Sequence, residues 1–116
     1  MHIAFISSEV VPYSKTGGLA DVSGALPYAV AERGHTVSVF TPYYRAAKQV
    51  EIDAPKICEG VVPVGSAMVP WTCHRGGLGA SAATIYLIGN DACFDRDGLY
   101  GTPQGDYQDS IHRFIF

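Results

Sequence analysis

Ile3-Ala4-Phe5-Ile6, then Ser7-Ser8-Glu9-Val10-Val11-Pro12-Tyr13-Ser14-Lys15-Thr16-Gly17-Gly18, then Leu19 to about Arg33, then Thr36-Val37-Ser38-Val39-Phe40: the reading of these four segments decides the fold. The first is an apolar run without alternation, which predicts a strand covered on both faces, as in a parallel sheet. The second is a long loop ending in paired glycines. In the third, Leu19, Val22, Leu26, Ala29 and Val30 recur at spacings of three and four, which predicts a helix. Pro27 falls inside it and should kink or divide it. Gly34 reads as the helix stop. The fourth segment alternates and is rich in β-branched residues, so it reads as a second strand. Strand, loop, helix and strand make a βαβ unit, whose right-handed crossover builds a parallel sheet.

Working outward, Thr41 to Pro55 reads as loop with one helical turn. Val61 to Cys73 and Ala82 to Ile88 read as two strands. His74-Arg75-Gly76-Gly77-Leu78-Gly79 between them reads as a turn, so an antiparallel hairpin is expected. Asn90 to Gly105 is rich in Asp and Gly and reads as loop. A helix is expected from Asp106, capped by Asp106 or Asp109, with Tyr107, Ile111, Phe114 and Ile115 on one face. The sequence closes on Phe114-Ile115-Phe116. An apolar ending inside a helix is odd for a natural terminus and suggests a piece of a longer protein. The alternative is a small natural domain whose last turn docks into its own core.

The 116 residues fit one small domain or part of a larger one. Hydrophobic residues make up 47% and charged residues 16%, enough to bury a core and too apolar for a disordered chain. Net charge is −3 and the eight Lys and Arg are scattered. Without a basic stripe a nucleic-acid partner is not expected. Cys58, Cys73 and Cys93 are odd in number and lack a Cys-x-x-Cys, so reduced and mostly buried thiols are expected rather than a metal site or a reactive thiol. The apolar run Ile3 to Ile6 is too short for a signal peptide, and no apolar stretch is long enough to span a bilayer. A soluble cytoplasmic protein is the expectation.

The segment with most chemical content is Lys15-Thr16-Gly17-Gly18-Leu19. Paired glycines let a backbone approach a ligand closely. The helix that follows presents free N–H groups and the positive end of its dipole, and Lys15 adds a mobile cation. Together these could hold a diphosphate and its sugar, at the carboxyl end of a parallel strand where open α/β sheets bind ligands. An ordinary strand-to-helix turn with a solvated lysine fits the pattern equally well. Downstream, Gly77-Leu78-Gly79-Ala80-Ser81-Ala82 fits the dinucleotide pattern Gly-x-Gly-x-x-Ala. That motif must open a helix, whereas Thr84 to Ile88 reads as a strand, so the dinucleotide reading is rejected. Glu9 is either a catalytic or sugar-binding carboxylate or an acceptor that orders its loop. Asp21 either touches sugar hydroxyls or interacts with the helix dipole. Phe94-Asp95-Arg96, Tyr100 and Asp106-Tyr107 combine aromatic platforms with strong acceptors, as carbohydrate surfaces require. A packed loop with local turn contacts reads the same composition as well.

Ser8-Glu9-Val10-Val11-Pro12, Lys15-Thr16-Gly17-Gly18-Leu19-Ala20-Asp21-Val22 and Gly24-Ala25-Leu26-Pro27 closely resemble the amino-terminal signature of bacterial glycogen synthases and plant starch synthases. Arg33-Gly34-His35-Thr36-Val37, Tyr86-Leu87-Ile88, Phe94-Asp95-Arg96, Leu99-Tyr100-Gly101 and Asp106-Tyr107 through Arg113-Phe114 extend the resemblance over nearly the whole chain. It implies an α/β, Rossmann-like parallel sheet with an inserted β-hairpin, forming the incomplete amino-terminal domain of a two-domain GT-B fold. Residues 1–116 would be about the first quarter of the enzyme, with most of the donor site in a second domain. The implied reaction moves glucose from ADP-glucose, or sometimes UDP-glucose, to the non-reducing end of an α-1,4-glucan with retention, and needs no metal ion or cofactor. Lys15, Gly17 and Gly18 would bind the donor, stabilising the leaving diphosphate. Glu9, Asp21, Phe94 and Tyr100 would lie at the acceptor side or cleft. Some relatives have Tyr where Phe94 stands, a hydroxyl this chain lacks. This segment alone would then be inactive. The rival readings are a non-catalytic glucan- or nucleotide-binding module and a flavodoxin-like regulatory domain.

Overall fold

The computed structural model describes residues 1–77 and 82–115. Its chain order is β1 (His2–Ile6), α1 (Gly18–Ala31), β2 (Thr36–Pro42), α2 (Arg45–Lys48), β3 (Lys56–Val64), β4 (Ala67–Gly77), β5 (Thr84–Gly89), α3 (Asp91–Phe94), β6 (Gly101–Thr102), β7 (Gly105–Asp106) and α4 (Ser110–Ile115). Five strands make one sheet in the order β1-β2-β5-β4-β3, and β6 and β7 form a separate ribbon. β1, β2 and β5 run parallel, with Ile3 beside Val37 and Val39 beside Ile85. β4 and β3 extend that sheet antiparallel. The βαβ unit and an antiparallel β4–β5 pair are therefore present, with a third antiparallel strand added at the edge.

The main core lies against the parallel strands and gathers Val10, Tyr13, Val37, Val39, Ile85 and Leu87. β1 departs from expectation. Its apolar run predicts cover on both faces, but the pattern alternates and Ile6 is 82% exposed. Only the Ile3–Phe5 side is covered.

α1 runs unbroken through Pro27, but with its apolar stripe turned outward. Leu19, Val22 and Leu26 are exposed, while Ala20, Ser23, Pro27 and Ala31 are buried. The reason is close approach. Ser23 Oγ lies 2.8 Å from Ser7 Oγ, and a Cβ on Gly24 would stand 2.4 Å from Val11 Cγ2. Only small side chains fit against the first loop, so the helix presents them there. At its end Gly34 takes φ +86 and its N–H bonds the Ala31 carbonyl, 3.0 Å.

The middle of the chain also differs from expectation. The stretch read as one strand from Val61 holds a two-residue turn at Gly65-Ser66, with Gly65 at φ +60. His74 to Gly77 is not a turn; it continues β4. Gly76 has a packing role, because a Cβ there would stand 2.3 Å from the Tyr13 hydroxyl, whereas one on Gly77 would meet nothing within 4 Å. That hydroxyl donates to the Gly77 carbonyl at 2.9 Å and accepts from the Gly77 N–H at 3.1 Å. Leu78 to Ser81, which hold the rest of the expected turn and most of the rejected dinucleotide pattern, lie outside the described residues. The Asn90–Gly105 loop contains the short helix α3, capped by Asn90 Oδ1 accepting from the Cys93 N–H at 3.1 Å. α4 begins at Ser110 rather than Asp106, and Ile111 and Ile115 face out while Arg113 is buried. Of the three thiols only Cys73 is buried.

Candidate functional site at the carboxyl ends of the parallel strands

The loop after β1 is organised around one carboxylate. Glu9 is 4% exposed. Its Oε2 accepts from the Thr16 N–H at 2.6 Å and the Gly17 N–H at 3.3 Å. Its Oε1 accepts from the Thr16 hydroxyl at 2.5 Å and the Tyr100 hydroxyl at 2.7 Å. Burial opposes the charge on Glu9, but the bonds from Thr16, Tyr100 and Gly17 outweigh it and hold the carboxyl below its ordinary value. Tyr100 is shifted the other way. Burial first, and the negative charge of Glu9, push its phenol up to about 12, so it stays a donor. Glu9 thus takes over two N–H groups just before α1, where negative charge also meets the helix dipole favourably. Thr16 and Tyr100 complete a ring that closes the loop. The sequence marked Thr16 only as part of a glycine motif and gave no sign that Glu9 and Tyr100 meet.

Lys15, Gly17 and Gly18 stand together at the start of α1. The Lys15 ammonium donates to both oxygens of Asp21, at 2.7 and 2.8 Å, in an exposed pair. Gly17 and Gly18 are exposed and face open space: an added Cβ would meet nothing within 4 Å at either. Neither has a positive φ. No neighbouring atom and no positive φ therefore demands glycine at these two positions, although Gly17 is the N-cap of α1, where glycine is favoured over alanine.

Beside this loop a concavity of about 220 Å³ opens where β1, β2 and β5 end. Ser7, Ser8, Thr41, Phe94, Arg113 and Phe114 are among its lining residues. This is the edge at which parallel α/β sheets place ligands. Two buried atoms on its lining residues, Thr41 Oγ1 and Arg113 Nη1, have no hydrogen-bond partner, an arrangement that buried polar groups rarely keep. A wider concavity of about 780 Å³ lies elsewhere, between the β3–β4 hairpin and α3, around Trp71. It is remote in sequence from the Glu9 loop and shares no residue with the smaller one.

The aromatic and acidic cluster is packed rather than displayed. Phe94 is 3% exposed and forms a second core with Tyr44 and Leu99. Arg113, 1% exposed, has its guanidinium over the rings of Tyr107 at 4.6 Å and Phe114 at 5.3 Å. Its Nε donates to the Cys93 carbonyl at 2.6 Å and its Nη2 to the Leu99 carbonyl at 2.8 Å. The Asp95 side chain bonds to a distant segment, whereas Arg96 does make a local contact, its Nε and Nη2 donating to the Ala92 carbonyl at 3.0 and 2.7 Å. Asp95 accepts from Arg45 Nε at 2.8 Å, and that bond, against some burial, holds its carboxyl below the usual range. Arg96 pairs with Asp109 at 2.6 Å and covers Tyr107. Asp106 lies in the exposed ribbon opposite Gly101. Among the described residues no group of three or more His, Cys, Asp or Glu is placed to hold a metal ion. No helix among them is long and apolar enough to cross a membrane.

Comparison with known proteins gives this geometry a family. The chain is 48% identical over 121 residues to the glycogen synthase of Koribacter versatilis (strain Ellin345), an alignment covering 98% of this chain and 23% of that protein. It is 40% identical over 119 residues to glycogen synthase 2 of Geobacter sulfurreducens, covering 100% of this chain and 24% of that protein. The chain thus spans about a quarter of the length of the curated relatives it matches. Among solved structures, the catalytic domain of starch synthase IV from Arabidopsis thaliana, bound to ADP and acarbose, superimposes with a TM-score of 0.74 at 22% identity, over 87% of this chain and 21% of that one. That likeness shows the fold. The family model of the starch synthase catalytic domain matches residues 2–116, and the chain belongs to that family.

Proposed function

We propose that residues 1–116 are the amino-terminal part of a cytoplasmic, retaining glucosyltransferase that extends an α-1,4-glucan from ADP-glucose, or from UDP-glucose. The observation that carries this reading is the open glycine pair. Gly17 and Gly18 are not required by packing or by φ within the described chain, so their missing side chains fit the close approach of something outside it. A helix start, a cation and a glycine pair suit a diphosphate. Support comes from the glycogen synthase relatives and from the starch synthase IV neighbour, whose structure holds ADP and acarbose.

In this reading Lys15, Gly17 and Gly18 contact the donor. An ammonium has three donors; Asp21 takes two from Lys15, which leaves one for a phosphate oxygen. As the glucose–diphosphate bond breaks, negative charge grows on the departing diphosphate, and a preplaced cation stabilises it more than it stabilises the bound donor. Asp21 keeps Lys15 at the helix start. Glu9 and Tyr100 hold the amides of Thr16 and Gly17 in place and so position the loop. Phe94 forms part of the wall on the acceptor side.

The test uses the whole protein that carries this segment. Lys15→Ala is compared with wild type for ADP-glucose binding, maltooligosaccharide binding and turnover. Losing one hydrogen bond between charged groups removes about 1.5–3 kcal/mol, roughly ten- to a hundredfold in kcat/KM, with maltooligosaccharide affinity unchanged. A protein that binds glucan without turnover is a binding module, and one that binds neither is a regulatory domain. The 116-residue segment alone should give no turnover, and detectable turnover would overturn the division of the donor site between two domains.

A further inference from the structure

Cys58 and Cys73 face each other across the β3–β4 hairpin as direct partners in its register. β3 is the edge strand of the five-stranded sheet. Cys58 is exposed there, while Cys73 on the inner strand is 6% exposed. We propose that these two cysteines form an oxidative modification site, in which the exposed Cys58 reacts with a low-molecular-weight disulfide and Cys73 resolves the adduct into a Cys58–Cys73 cross-strand disulfide. The inference does not depend on the proposed reaction.

Geometry favours the pairing. Opposed residues in antiparallel strands have Cβ atoms about 4.5–5.5 Å apart, and a disulfide needs about 3.5–4.5 Å. The strands must therefore close by roughly one ångström at most. A bulge between Lys56 and Cys58 interrupts the ladder at that point, and bulged edges give such freedom. The two thiols already interact: burial first, and then the charge and hydrogen bonding of the neighbouring Cys58, together push the Cys73 thiol up to about 11.

The chemistry is two successive exchanges. The Cys58 thiolate attacks one sulfur of RSSR. A Cys58–SR bond forms, the S–S bond of the reagent breaks, and RS⁻ leaves and takes up a proton. Cys73 then gives its proton to solvent, its sulfur attacks the Cys58 sulfur, and the second RS⁻ departs. Two protein thiols lose two electrons and RSSR becomes two RSH. Because the thiolate is the nucleophile, the high position of Cys73 makes closure the slow step.

The full chain is incubated with glutathione disulfide, free thiols are then alkylated, and peptides are mapped by mass. The expected product links Cys58 to Cys73 within one chain and leaves Cys93 alkylated. The glutathione adduct on Cys58 should precede it, and isolated adduct should close faster as pH rises, because Cys73 must lose its proton to attack. A linkage through Cys93, a Cys58 link between two chains, or an adduct that persists as pH rises would overturn the proposal. Cys73→Ser should keep the adduct on Cys58. Cys58→Ser should leave Cys73 unmodified, and glutathionylation of Cys73 there at the wild-type Cys58 rate would also overturn it. The wild-type map stands even if a variant fails to fold.

Discussion

Gly24 and Gly76 are held to glycine by their neighbours, since an added Cβ would stand 2.4 Å from Val11 Cγ2 and 2.3 Å from the Tyr13 hydroxyl. Alanine at either position should cost about 1–3 kcal/mol, because a packed interior must shift to admit it. Gly17 and Gly18 differ, as nothing lies within 4 Å of their added Cβ atoms. Gly17→Ala, at the N-cap of α1, should lower stability by no more than about 1 kcal/mol, and Gly18→Ala, inside the helix, should raise it by up to about 1 kcal/mol. Both should weaken ADP-glucose binding in the whole protein. Denaturant melts paired with donor titrations separate the two classes; unchanged donor affinity at both positions would remove the glycine pair from the binding site. Glu9 supplies the pH-dependent case. Its folded value lies below the ordinary 4.5, so its stabilisation is fully present above that pH and is lost as pH falls through the folded value. Glu9→Gln should therefore be less stable near neutrality by about 1.5–3 kcal/mol. The gap to wild type, followed by thermal melts across pH, should narrow in acid.

At the scale of elements, the βαβ unit was readable because a β-branched strand and a Gly stop carry their own local signals. The packed face of α1 was not. Periodicity finds an apolar stripe, yet Leu19, Val22 and Leu26 are exposed while Ala20, Ser23 and Ala31 are buried. Contact distance with the first loop, rather than hydrophobicity, selects the buried side, and that distance is a tertiary property. The same holds for Gly76-Gly77, whose turn-like composition serves the docking of Tyr13 on a strand. At the site, the Lys15 to Gly18 motif was visible as local sequence, whereas the Glu9–Tyr100 bond joins residues 91 apart and no spacing rule reaches that far. The exposure pattern makes a prediction for the chain by itself. Leu26→Ser should change its stability by less than about 0.5 kcal/mol, while Ile85→Ala in the main core should cost about 2–5 kcal/mol. Equal costs in chemical denaturation would mean that α1 buries the other face.

Across the whole molecule, the first loop and the last third of the chain are joined through Glu9 and Tyr100. Arg113 completes the join by tying α4 to the carbonyls of Cys93 and Leu99, on either side of the turn that delivers Tyr100. Removing its side chain leaves two carbonyls without donors and takes away the stacking on Tyr107 and Phe114. Arg113→Ala should therefore destabilise by about 2–4 kcal/mol. Tyr100→Phe is the more discriminating change. It keeps the ring and deletes one donor to Glu9, so the Glu9 carboxyl should rise toward its ordinary value of 4.5 and acid unfolding should begin at higher pH. If the hydroxyl acts through Glu9, then Glu9→Gln and Tyr100→Phe should not add: the double variant should differ from the sum of the singles by at least about 0.5 kcal/mol. Once Glu9 is Gln, the Tyr100 substitution should no longer move the acid transition. Strict additivity with an unmoved transition would show that the two ends of the chain are held by ring packing, and that the loop under Lys15 and the glycine pair is not anchored by this bond.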